Sequence, residues 1–254
     1  MKSCFLFLLT ICFLSACATV PTVEPDPSVL RVGISPDSPP LIFKQGEQIS
    51  GVEADFARKL APALNRELTF LEIPREKQLE YLEENKIDIV MSGITITQAR
   101  EFRVNFTKPY MVAGLTALFR RTDYAPPGIM PSIIRHQNSK IGAVKNTTGA
   151  FYAERSYPNA KIILYSDLKS AVSALNSKHV NMVIHDAPLI WWSASRNETD
   201  LVAFQELLNH EQLAWAVSKN NRELLNDVNQ ILIEWKESGS GLDILQNWFP
   251  GLGN

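Results

Sequence analysis

Beyond residue 17 the chain has no cysteine. Its three thiols, Cys4, Cys12 and Cys17, crowd the start of a 254-residue sequence, so neither a disulfide nor a cysteine-ligated metal is available to the body of the protein. Histidine is scarce as well. His136, His179, His185 and His210 are scattered without ligand spacing, and no Ser/His/Asp arrangement stands out. No metal and no cofactor are therefore expected. Charge of one sign is also missing: 25 Lys and Arg face 27 Asp and Glu, which leaves no basic footprint for nucleic acid. There is no P-loop, so the chain cannot itself power transport, and no internal repeat. With 45% hydrophobic and 20% charged residues, the composition also excludes a disordered or low-complexity protein.

What is present begins with an address. Lys2 precedes an apolar run from Phe5 to Leu14, interrupted only by Thr10, which reads as an export signal too short to span a bilayer. It ends in Leu14-Ser15-Ala16-Cys17, which resembles a bacterial lipobox. That resemblance implies cleavage after residue 16, lipidation of Cys17, and anchorage to a bacterial membrane facing the periplasm or the exterior. Residues 17–28 carry Pro21, Pro25 and Pro27 and read as a semi-rigid tether.

From Val29 onward apolar runs alternate with helical patterns. Leu30 to Ile34, Leu68 to Ile73 and Ile87 to Ser92 read as strands, while Val52, Phe56, Leu60 and Leu64 mark one helix face that Pro62 should kink or end. This β-α-β-α-β order predicts a parallel sheet covered by helices. A second unit has strand patterns at Leu115 to Phe119, Lys140 to Val144, Lys161 to Tyr165 and Val180 to Ile184. Gln212 to Val217 reads as one further strand, followed by a long amphipathic helix through Leu224, Val228, Ile231 and Trp235. Two α/β units imply a cleft between them, where ligands bind.

Several segments together resemble the extracytoplasmic solute-binding proteins of polar-amino-acid ABC transporters. They are Gly51-Val52-Glu53-Ala54-Asp55-Phe56-Ala57, the stretch Lys86 to Arg100 containing Ser92-Gly93-Ile94-Thr95, then Phe106-Thr107-Lys108-Pro109-Tyr110, Thr147-Thr148 and Gly241 to Phe249. The resemblance implies an α/β, two-lobed periplasmic-binding-protein fold of type II, each lobe a mainly parallel sheet flanked by helices. Lobe 1 would comprise 29–113 and 215–254, and lobe 2 would be 114–214, with hinge crossover strands at both borders. It further implies a non-enzymatic monomer that delivers a small amino acid to a membrane permease.

An amino acid needs donors for its carboxylate and an acceptor for its ammonium. Arg100 can hold a carboxylate through two parallel hydrogen bonds, with Thr95 adding a hydroxyl and an N–H, while Gly93 and Ser92 face the ammonium. Thr147 and Thr148 precede a helix, where their N–H groups favour an anion and their side chains equally suit a cap. By the family's pattern Asp186 receives the ammonium from the second lobe. Read alone, it is an N-cap.

The chain departs from the family where aromatic side chains usually stack on the ligand. Ser38 and Arg75 stand there instead, and Ser35 replaces an Asp common in binders of basic amino acids. Either Arg75, with Lys145, charges the pocket in favour of an acidic ligand, or it points outward from its loop. Asn146 replaces a common Gly and should tolerate a left-handed backbone. Two other functions stay open on the same fold. One is a tethered sensor or accessory protein. The other is a dehydratase using Glu53 or Asp55, which needs a cleft carboxyl with a raised pKa; as helix-start residues these two also suit the helix dipole.

Overall fold

The structure is a computed structural model describing residues 26–124 and 139–250. The expected signal peptide, Cys17 and most of the expected tether lie outside the described residues. In chain order the first half forms β1 (Val29–Ile34), β2 (Asp37–Ser38), β3 (Ile42–Gln45), β4 (Gln48–Ser50), α1 (Val52–Ala63), β5 (Glu67–Glu72), α2 (Gln78–Glu83), β6 (Ile89–Val90), α3 (Gln98–Glu101), β7 (Val104–Phe106) and β8 (Met111–Ala113). Then come β9 (Leu115–Arg120), β10 (Lys140–Val144), α4 (Thr148–Ser156), β11 (Lys161–Tyr165), α5 (Leu168–Asn176), β12 (Met182–Asp186), α6 (Ala187–Ser195) and β13 (Leu201–Ala203). The chain closes with β14 (Glu211–Leu213), β15 (Ala216–Ser218), α7 (Arg222–Glu237) and α8 (Ser240–Trp248).

Two five-stranded sheets organise these elements into two lobes, in the orders β5-β1-β6-β15-β7 and β11-β10-β12-β9-β13. Each is mixed, where the order of elements alone predicts mainly parallel pairing. β1 runs parallel to β5 and β6, but β15 returns antiparallel between β6 and β7. The second sheet repeats the arrangement, with β10 parallel to β11 and β12, and β9 antiparallel to β12 and β13. In both, the antiparallel half consists of strands flanking the crossings between lobes, so their direction follows from the crossing. β8 and β14 pair antiparallel to each other and make the two crossings.

Gln212 to Val217, one strand by its apolar run, is divided. Leu213 belongs to the crossover pair and Ala216 to the first sheet, because both environments bury the chain and neither interrupts the hydrophobic pattern. Ile87 to Ser92 likewise contributes only Ile89 and Val90 to the ladder. Elsewhere the periodicity holds. Val52, Phe56 and Leu60 are buried on α1, which ends one residue after Pro62, and Leu224, Val228, Ile231 and Trp235 are the buried face of α7. Phe56 packs against Tyr110, Trp215 and Trp235 with centroids 5.4 to 5.9 Å apart, joining α1 to the first crossing and to α7. At the cleft mouth Phe43 of β3 meets Trp192 of α6 at 6.1 Å. The crossings need Gly114, since a Cβ there would lie 2.1 Å from the Asn209 carbonyl oxygen.

Candidate functional site

The first lobe presents its polar residues on the loop after β6. Gly93 adopts φ +63, a left-handed turn that glycine enters without strain, and a Cβ there would press on the Leu41 side chain at 2.7 Å. Its N–H donates to Glu53 Oε1 at 2.6 Å. Tyr110 Oη donates to the same oxygen at 2.8 Å, and Trp215 Nε1 to Oε2 at 2.7 Å. Glu53 is fully buried, and burial pushes its carboxyl up to about 7 against the pull of these three donors. Burial, then the neighbouring Glu53 charge, holds Tyr110 well above its ordinary value, so it stays a donor. Ser92 is also buried and accepts from the Ser35 N–H at 2.9 Å; its hydroxyl fastens β1 to this loop rather than facing the cleft. Ser35 in turn donates to the Ile73 carbonyl at 2.7 Å.

Thr95 bridges to Leu213 through its neighbours. Ile96 N–H donates to the Gln212 carbonyl and Ala214 N–H to the Ile94 carbonyl. In an antiparallel pair this pattern turns Thr95's own N–H away from the crossover strand. Its carbonyl accepts from Arg100 Nη1 at 2.8 Å, which sets the guanidinium over the loop. Thr97 caps α3 by accepting from the Arg100 N–H. Arg100 Nη2 reaches across to the Asn146 carbonyl of the second lobe at 3.4 Å. Asn146 has φ 62, the left-handed backbone expected of it.

In the second lobe Thr147 caps α4 by accepting from the Ala150 N–H, and donates to the Val144 carbonyl at 2.6 Å. Its hydroxyl is thereby committed to the cap. Thr148 Oγ1 instead donates to Glu211 Oε2 at 2.9 Å, the oxygen that also receives Thr95 Oγ1 at 3.0 Å. Nothing in the sequence singles out Glu211, because a lone acid in a crossover strand carries no motif.

Asp186 ends β12, buried, and its side chain makes no capping bond to α6. His185 Nδ1 lies 2.8 Å from the Asp186 amide nitrogen, whose N–H it accepts, and 3.0 Å from Oδ2. Oδ1 is buried and has no hydrogen-bond partner. Burial alone would raise this carboxyl, but His185, Arg75 and Arg100 together hold it below the ordinary aspartate value. Burial draws Arg100 down, Asp186 and Glu211 oppose that, and Arg75 adds to it. Arg75, Arg100, Asp186 and Glu211 therefore share one electrostatic neighbourhood.

Arg75 turns toward Ser38, donating to its Oγ at 2.7 Å and to Asp37 Oδ1 at 3.1 Å. The Arg75 charge is paired to Asp37, and it lies near enough to Arg100 and Asp186 to act on both. A cavity of about 530 Å³ continues from there, lined by Asp37, Arg75, Lys145 and Asp167 among others. Arg100, Thr95, Thr148, Asp186 and Arg75 thus converge on the cleft. The side chains of Ser92 and Thr147 are occupied within their own lobes.

A family model described as bacterial extracellular solute-binding proteins, family 3, matches residues 30–251. The L-cystine-binding protein TcyJ of Escherichia coli K12 is 22% identical over 221 residues, covering 87% of this chain and 82% of that protein. Among solved structures, the ancestral amino acid-binding protein AncCDT-1, a precursor of cyclohexadienyl dehydratase, superposes with a TM-score of 0.80 and 31% identity over 87% of this chain and 95% of its own. The putative ABC-transporter binding component of Wolinella succinogenes, complexed with lysine, gives 0.81 and 28% over 87% and 96%.

Proposed function

The chain belongs to the bacterial extracellular solute-binding proteins, family 3, and from that membership we propose that it is a lipid-anchored binding protein that closes its lobes on an amino acid and presents it to an ABC-transporter permease. One observation carries this reading. Arg100 of the first lobe and Asp186 of the second bear opposite charges near enough to shift each other's ionisation, and Asp186 keeps one buried oxygen without a partner. A buried unpaired carboxylate oxygen is costly, and a ligand ammonium satisfies it. The ligand carboxylate then takes the Arg100 guanidinium with the outward N–H of Thr95 and the N–H groups opening α4. A zwitterion is recognised at both ends, and only with the lobes together. The names of the relatives support the same class, since they bind amino acids.

The ligand side chain extends toward Arg75, Ser38 and Lys145. Because Arg75 is paired with Asp37, it is Lys145, lining the same cavity, that favours an acidic side chain.

The dehydratase reading requires a cleft acid with a raised pKa. Glu53 has the raised value but is fully buried, with donors on both oxygens. Asp55 is tied to Arg58 and Trp248. Asp186 faces the cleft but is lowered. This distribution favours binding over proton transfer.

A thermal-shift screen against acidic, neutral and basic amino acids tests the reading. A ligand at 100 times its Kd adds about 2.7 kcal/mol to stability. The shift should appear in the wild type and vanish in Arg100→Ala; an equal shift in both removes Arg100 from the site. Cys17→Ser should release the protein from the membrane fraction.

A further inference from the structure

We propose that Glu211 is a positioning residue whose own hydrogen bonds, without a contribution from ligand, clasp the two lobes together on the hinge side of the cleft. Its carboxylate rises from β14, one of the two crossings. Oε2 accepts Thr95 Oγ1–H from the first lobe at 3.0 Å and Thr148 Oγ1–H from the second at 2.9 Å. Oε1 accepts Asn209 Nδ2–H at 2.9 Å, and Asn209 Oδ1 accepts the Leu115 N–H at 2.8 Å. One oxygen therefore joins the lobes through two charge-assisted bonds, while the other is moored to the start of β9. Arg100 senses the same charge, so the clasp sits beside the ligand's anion position.

The clasp has two consequences for the site. The hydroxyls of Thr95 and Thr148 are already committed to Glu211, so the ligand carboxylate relies on the guanidinium and on main-chain N–H groups. Holding both threonines also fixes the loops that carry those N–H groups. A protein whose binding-competent arrangement is already populated binds more tightly by that fraction. This gain in affinity rests on the function proposed above, whereas the clasp itself does not.

Small-angle X-ray scattering of the purified full chain without ligand tests the clasp, so its outcome is independent of whether any amino acid binds. Glu211→Ala should increase the radius of gyration while circular dichroism stays native. Thr148→Val should produce a comparable increase, and the double variant no more than the larger of the two, because both remove one connection. A wild-type radius in Glu211→Ala overturns the proposal, as does a double variant that expands by the sum of the singles. Should Glu211→Ala fail to fold, Thr148→Val decides alone, and an unchanged radius there overturns the clasp. A residue with only a local structural role would lower the melting temperature and leave the radius unmoved.

Discussion

Glu53 in the first lobe and Asp186 in the second are both buried carboxyl groups at the start of a helix, yet they sit in opposite electrostatic states. Glu53 has every hydrogen bond it needs, from Gly93, Tyr110 and Trp215, but all three donors are neutral. Asp186 has cationic company in Arg75 and Arg100, with His185 beside it, but one oxygen without a partner. The first is raised to about 7 and the second lowered. Hydrogen bonds favour the ionised form of both groups, but at Glu53 three neutral donors do not offset the loss of water, whereas at Asp186 the His185 hydrogen bond together with the nearby charges of His185, Arg75 and Arg100 does. Glu53 is thus a fastener, joining the loop after β6 to Tyr110 before the first crossing and Trp215 after the second. Asp186 is held in its charged form with one oxygen unpartnered, which is what the proposed ammonium site requires.

Breaking the fastener should have the largest effect. Glu53→Ala strands the buried Trp215 N–H and the part-buried Gly93 and Tyr110 donors, at about 1–3 kcal/mol for a buried one and less for the others, so a loss of about 4 kcal/mol in urea unfolding is expected. A loss under about 1 kcal/mol, the low end for a single stranded donor, would mean that the three bonds are not made in solution.

The next effect, about 3 kcal/mol, is a pH dependence that separates the two groups by sign. A carboxyl raised from 4.5 to about 7 on folding binds more protons native than unfolded between those values. Stability therefore falls as pH rises from about 4.5 to about 7 and then levels off, losing roughly 1.36 kcal/mol for each pH unit between the two. Asp186 runs the other way. Its contribution is present above its unfolded value of 3.8 and is lost as pH falls below it through the folded value. Melting curves from about pH 3 to 8, which cover the upper window and enter the lower one, should show the upper limb whole and the onset of the acid one, and Glu53→Gln should abolish only the upper one. An upper limb that persists in Glu53→Gln assigns it to another group.

Removing the charge awaiting a partner should act on binding more than on folding. Asp186→Asn is expected to weaken amino-acid affinity by about 2 kcal/mol, roughly 30-fold, as for a hydrogen bond to a charged group. Calorimetry against the best ligand of the thermal-shift screen checks it. Equal affinities would place the ammonium elsewhere.

Much of this fold was legible because burial on one helix face or along a strand leaves a period in the sequence. It failed where two different buried environments adjoin, as between Leu213 and Ala216, since hydrophobicity records burial without saying in which sheet. The candidate site was legible where a motif fixes the backbone, as at Gly93, Thr95 and Arg100. Individual side chains within it were not. Ser92 and Thr147 turned inward because a backbone donor or carbonyl of their own lobe lay within reach. Asp186 did not cap its helix, since its carboxylate is drawn to His185 and the cleft arginines. Glu53 looked like a dipole partner at a helix start, and only the fold brings Tyr110 and Trp215 to it from 57 and 162 residues away. Glu211 was silent for the same reason, its threonines lying 116 and 63 residues off.

The finest test of the contrast removes one neutral donor and leaves the others. Tyr110→Phe keeps the ring that packs on Phe56 and Trp215 and deletes only the hydroxyl at Glu53 Oε1. That oxygen still has the Gly93 N–H and Oε2 the Trp215 N–H, so the stability loss should be about 1 kcal/mol. The hydroxyl lowers the Glu53 pKa, so its removal should move the upper limb of the pH profile to higher pH. Asp186 shares no hydrogen bond with Tyr110, and the acid limb should stay in place. If both limbs moved together, the two carboxyl groups would be one coupled system, and the division between fastener and ligand group would have to be given up.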